Sequence, residues 1–102
     1  IILFCLVGCE IHTAPRIISL SAEPESLHPG DTCALSYEIR DKSPVTISAW
    51  WSCPYGVIFN DEPFEASFHW IAPLKPGDYY LTLTVDDGEY KTSDRLKVTV
   101  LN

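Results

Sequence analysis

"DYYLTLTVDDGE", residues 78–89, alternates hydrophobic and polar side chains and then breaks into an Asp-Gly pair. Period-two alternation puts Tyr79, Leu81, Leu83 and Val85 on one face of an extended strand, with Tyr80, Thr82 and Thr84 on the other. Wound as a helix, the same four inward residues would point to opposite sides. Aromatic and β-branched residues favour the pleated form, and Asp-Gly is a strong hairpin signal. "RLKVTV", residues 95–100, alternates again with Leu96, Val98 and Val100 inward. The stretch therefore reads as a half-buried strand that turns and returns beside itself.

The same period recurs back along the chain. "RIISLSA" (16–22) places Ile18 and Leu20 on one face, and "TCALSYEI" (32–39) does so for Cys33, Leu35, Tyr37 and Ile39. "VTISAWWSC" (45–53) alternates Val45, Ile47, Ala49, Trp51 and Cys53. "VIF" (57–59) is a short strand, and "EASFHW" (65–70) sets Phe68 and Trp70 together. "EPESLHPGD", "RDKSP" and "IAPLKPG" carry the proline and glycine that mark connections. About seven strands with no helical period predict an all-β chain folded as a β-sandwich over residues 16–102.

Composition sets the wider limits. A chain of 102 residues, 46% of them hydrophobic, has room for one domain with a core of its own. Fourteen acidic residues against seven basic ones give a formal charge of −7, which disfavours nucleic acid as a partner. There is no methionine, so Ile1 reads as internal to a longer protein.

Three stretches carry a resemblance across residues 16–102. "WWSCPYG" looks like a tryptophan strand with its following glycine, "HWIAP" is similar to a W-x-A-P element, and "PGDYYLTLTVDDG" is similar to a G-x-Y strand ending in an Asp-Gly turn. In that order they resemble the PKD-type (polycystic kidney disease) and related bacterial immunoglobulin-like domains. The resemblance implies a Greek-key immunoglobulin-like sandwich, and Gly77 with Tyr79 suits a tyrosine corner whose hydroxyl closes the preceding turn. Tyr37 and Leu81 stand where antibody-type domains carry their disulfide. A different bridge is expected. Cys33 and Cys53 fall on inward faces, 9 and 11 residues from the turn near Lys42 and so at similar height in an up-and-down pair; a sandwich with their strands in opposite sheets could join the two through one bond. An exported protein would keep such a bond.

The start of the chain bears on location. Ile1 to Val7 is apolar and uncharged, and as a helix would span roughly 10 Å, far short of a bilayer's ~30 Å hydrocarbon core. It suits the end of a signal-peptide apolar region. "LVGC", Leu6 to Cys9, resembles the lipobox of bacterial lipoproteins. That resemblance implies a signal peptide over residues 1–8, lipidation of Cys9, and a short tether over residues 9–15. Glu10 follows the cysteine where aspartate would favour inner-membrane retention, so the expected site is the outer membrane or cell surface. Several acyl chains would anchor the protein stably, at about 0.8 kcal/mol per buried CH₂.

No catalytic motif appears. His12, His28 and His69 are scattered, with no H-x-x-H, C-x-x-C or H-E-x-x-H spacing, and there is no G-x-S-x-G. The chain is not expected to be an enzyme or to need a cofactor. Asp86, Asp87, Glu89 and Asp94 crowd the last hairpin and offer the hard oxygen ligands that Ca²⁺ takes, a weak candidate beside a solvated acidic turn. If Trp51 faces inward, Trp50 faces outward, and Tyr55 and Tyr80 could join it in an aromatic binding surface. The expected function is non-catalytic: an envelope-anchored module for adhesion, spacing or protein contact. Carbohydrate binding through the exposed aromatics, and service as an accessory domain of a larger secreted enzyme, are the alternatives.

Overall fold

The computed structural model of the protein describes residues 14–40, 47–62 and 67–102. The signal peptide expected over residues 1–8, the lipidation at Cys9, His12, and the inward position of Val45 lie outside them. Eight strands run in order: β1 (Arg16–Glu23), β2 (Ser26–Leu27), β3 (Thr32–Arg40), β4 (Ser48–Ser52), β5 (Val57–Glu62), β6 (Ser67–Ile71), β7 (Gly77–Asp86) and β8 (Lys91–Val100). They form two four-stranded sheets, β1-β3-β6-β5 and β2-β8-β7-β4. The all-β expectation holds, and the arrangement is that of a β-sandwich. The strand beyond the seven expected is β2, a two-residue piece inside a segment read as a connection. It pairs parallel to the end of β8 and is too short to carry a period of its own.

One core lies between the sheets. Ala22, Cys33, Leu35 and Trp70 come from the first, and Leu27, Trp51, Leu81, Leu83, Val85, Val98 and Val100 from the second. Trp70, Leu81, Leu83, Val85 and Val98 are completely buried, each contributing about 1.5–3 kcal/mol by leaving water. The opening stretch behaves as its alternation predicts: β7 and β8 pair from Gly77↔Val100 to Asp86↔Lys91 without a break in register. Tyr37 and Ile39 pack against the core beside Cys33 and Leu35, as do Ile47, Ala49 and Cys53 beside Trp51.

Two expectations are corrected. Ile18 is exposed and does not share the inward face with Leu20. A bulge between Ile17 and Ser19 inserts one extra residue, so Ile17, Leu20 and Ala22 face the core while Ile18 is turned out. The second concerns the bridge between Cys33 and Cys53. Their strands do belong to opposite sheets, but both residues are free thiols. Cys33 is buried in β3 opposite Trp70, whereas Cys53 is half-buried just past the end of β4, and a disulfide needs Cα atoms about 5.5–6 Å apart with the two Cβ atoms facing. Burial pushes the Cys33 thiol above its ordinary pKa, outweighing the opposite pull of backbone hydrogen bonds at Cys33 and Trp70. It is a buried neutral thiol, poorly nucleophilic.

Candidate functional site

Four aromatic residues, Tyr55, Trp70, Tyr79 and Tyr80, gather at one end of the sandwich. Tyr79 begins β7 half-buried, and its hydroxyl donates to the Lys75 carbonyl at 2.6 Å, closing the β6–β7 turn as a tyrosine corner would. Its ring lies 5.8 Å from that of Trp70 and meets Tyr55 edge-on at 5.6 Å. Trp70, buried in β6, donates its indole N–H to the Tyr55 carbonyl at 2.9 Å. A buried side chain thus fixes the β4–β5 loop against the β6–β7 turn. Gly56 makes this approach possible. Its φ is +76°, and a Cβ there would sit 2.5 Å from the Ile71 carbonyl oxygen and 2.6 Å from Trp70 Nε1.

Between the two loops runs an open groove of about 490 Å³. Its walls are three prolines, Pro54, Pro73 and Pro76, and three tyrosines, Tyr55, Tyr79 and Tyr80, with Lys75 and Asp78 beside them. Prolines and a tied tyrosine give the walls little freedom to lose on binding, which favours recognition by a preformed surface. Tyr55 is 60% exposed and Tyr80 48% exposed, so rings and hydroxyls are both available. Asp78 accepts a hydrogen bond from Thr99 Oγ1 at 2.8 Å.

The sequence singles out Trp50, Tyr55 and Tyr80, and all three are exposed. Tyr55 and Tyr80 line one groove. Trp50 stands apart from it: it pairs with Thr84, four residues along β7 from Tyr80, about 13 Å away on the same outward face. The contribution of Tyr79, Pro54, Pro73 and Pro76 was not legible in the sequence, where they read as core and corner residues.

The acidic hairpin is built as a turn. Asp86 Oδ1 accepts the Gly88 N–H at 2.8 Å, and Asp87 Oδ1 accepts the N–H groups of Glu89 and Tyr90 at 2.9 and 2.7 Å. Asp87 is 2% exposed, its oxygen turned to the backbone. Among the described residues, no group of three or more His, Cys, Asp or Glu side chains is placed to hold a metal. His28 lies 3.9 Å from Asp31 at the surface, and His69 stacks on Phe59 with ring centres 5.2 Å apart. These histidines occupy separate places.

A second cleft, about 590 Å³, opens at the other end of the sandwich, where Ala14 and Pro15 enter beside Thr92. Thr92 Oγ1 donates to the Pro15 carbonyl at 2.7 Å. Thr92 pairs with Val85 and Tyr79 with Val98, so this entry point lies about 20 Å along β8 from the aromatic groove. Arg16 and Arg40 face each other across β1 and β3 there, but no aromatic ring joins them.

In comparisons with known proteins, no family model matches the chain, and no curated protein matches it closely.

Proposed function

We propose that the chain is a non-catalytic recognition module of a bacterial envelope lipoprotein, an immunoglobulin-like domain of PKD type that grips an external partner with its aromatic groove. The observation that carries this reading is polarity along the long axis. The chain enters the domain at Pro15, tied to Thr92, while the groove opens about 20 Å away at the opposite end. With lipid on Cys9 and a short tether over residues 9–15, the rings of Tyr55 and Tyr80 would face away from the membrane. A module meant only as a spacer needs no such groove.

The strand order supports the family part of the reading. β1-β3-β6-β5 against β8-β7-β4 corresponds to the A-B-E-D and G-F-C sheets of immunoglobulin sandwiches. The Tyr79 hydroxyl bond to Lys75 is of the tyrosine-corner kind.

Two measurements test the proposal. Mass spectrometry of the chain expressed with its full leader, in a host that processes lipoproteins, should find diacylglyceryl on Cys9 and no residues 1–8. An unmodified Cys9 with those residues attached would overturn the anchoring. Separately, a broad array of glycans and extracellular peptides should yield ligands that Tyr55→Ala loses. An array without such a ligand would overturn the recognition role.

A further inference from the structure

We infer that the ligand is an acidic glycan, a polymer of carboxylate-bearing sugars, lying along the groove and the outward face of the β2-β8-β7-β4 sheet. This rests on the recognition reading above and names the ligand class. Charge is the first observation. On a chain of net charge −7 with only seven basic residues, Lys91, Arg95 and Lys97 lie on the outward face of β8, and Lys75 lines the adjoining groove. Four of the seven cations thus share one surface. Lys75, Arg95 and Lys97 have no carboxylate partner among the described residues. The carboxylates of this face are Asp78 and Asp86, which keep their charge while accepting from Thr99 Oγ1 and the Gly88 N–H, and the four cations outnumber them two to one.

The rings are the second observation. The Arg95 guanidinium sits over the Tyr80 ring, 5.0 Å from its centre. A stacked guanidinium keeps its edge N–H groups free for bidentate carboxylate binding. Trp50, 40% exposed, gives a second aromatic platform about 13 Å along the same face. Between the platforms the surface is hydroxyl-rich: Ser52 and Thr82 pair across β4 and β7, and Thr84 Oγ1 and Ser93 Oγ lie 3.2 Å apart. A proline-rich peptide could use the proline and tyrosine walls of the groove, but the row of Ser52, Thr82, Thr84 and Ser93 beyond it offers hydroxyls and not further apolar pockets. A sugar chain supplies ring faces, hydroxyls and carboxylates in repeating order, and each has a counterpart here.

The experiment titrates the purified chain with oligogalacturonides, neutral cello-oligosaccharides, polyacrylate and an acidic proline-rich peptide. Trp50→Ala and the Arg95→Glu/Lys97→Glu double variant are run alongside. These three residues are exposed, and unchanged melting temperatures would establish that the variants fold. The oligogalacturonides should bind, and Trp50→Ala should weaken them about fivefold to tenfold. The charge reversal should abolish binding, and added salt should weaken it through screening. Polyacrylate binding equally well with no effect of Trp50→Ala would reduce the face to bulk charge and overturn the inference. Preference for cello-oligosaccharides, or for the peptide, would overturn the acidic-glycan class while leaving the recognition role standing. Binding to none of the four also overturns it; the recognition role falls only if the wider array is silent as well.

Discussion

Gly56→Ala tests the joint between core and groove, and Gly88→Ala is its internal control. Both glycines have left-handed backbones, with φ of +76° and +93°. Forcing an L-residue into that region costs about 1–2 kcal/mol, so both variants share this penalty. They differ in space. A Cβ at Gly88 meets nothing within 4 Å, whereas one at Gly56 would lie 2.5 Å from the Ile71 carbonyl oxygen and 2.6 Å from Trp70 Nε1. The carbonyl belongs to β6 and cannot withdraw without disturbing its strand pairing, so the loop carrying Gly56 and Tyr55 must lift away from β6 and from the Trp70 indole. The indole's hydrogen bond to the Tyr55 carbonyl is then lost, and a buried N–H left unsatisfied costs about 1–3 kcal/mol. Gly56→Ala should therefore destabilise by about 2–5 kcal/mol against about 1–2 for Gly88→Ala. Urea unfolding followed by tryptophan fluorescence measures both, with the difference appearing in the midpoint at unchanged slope. Gly56→Ala should also lose ligand, because Tyr55 is displaced, while Gly88→Ala keeps it. Equal destabilisation by the two variants would refute the idea that this contact fastens the groove.

Other predictions follow from single contacts. Tyr79→Phe keeps the ring packing and removes the bond to Lys75, so it should cost about 0.5–1.5 kcal/mol in urea unfolding and loosen the β6–β7 turn. Asp87→Ala removes an acceptor of two backbone N–H groups and should cost about 2–3 kcal/mol, whereas Asp87→Asn, which keeps one carbonyl oxygen, should cost less; comparative thermal melts decide. Burial raises the pKa of Cys33 and of Tyr37 in the folded state. The unfolded chain then releases these protons first, so their contribution is intact below the ordinary values and fades as pH rises through the folded ones. Stability should fall from about pH 8.5 upward, by at most about 1.4 kcal/mol per pH unit for Cys33, and Cys33→Ala should remove that part of the slope.

What the sequence made legible was whatever depends on neighbours along one strand. Inward and outward faces of β3, β4, β7 and β8 follow from alternation, and so does the exposure of Trp50 and Tyr80. Ile18 shows where this logic stops. A bulge changes the parity of everything on one side of it, and β1 carries no glycine or proline to announce one. The cysteine pair shows a second limit: counting from one turn puts two residues at similar height, but whether two sulfurs meet depends on where each side chain sits once the sheets have packed. The groove combines both difficulties. Its walls come from residues 54–55 and 73–80, separated in sequence by the whole of β5 and β6. They meet because one buried indole reaches from β6 to the Tyr55 carbonyl past a glycine that admits no side chain. Each of these residues has an ordinary local explanation, as core, turn or corner. Their joint effect exists only once the two sheets have closed on a common core, and so a recognition surface can be assembled entirely from residues that look structural one at a time.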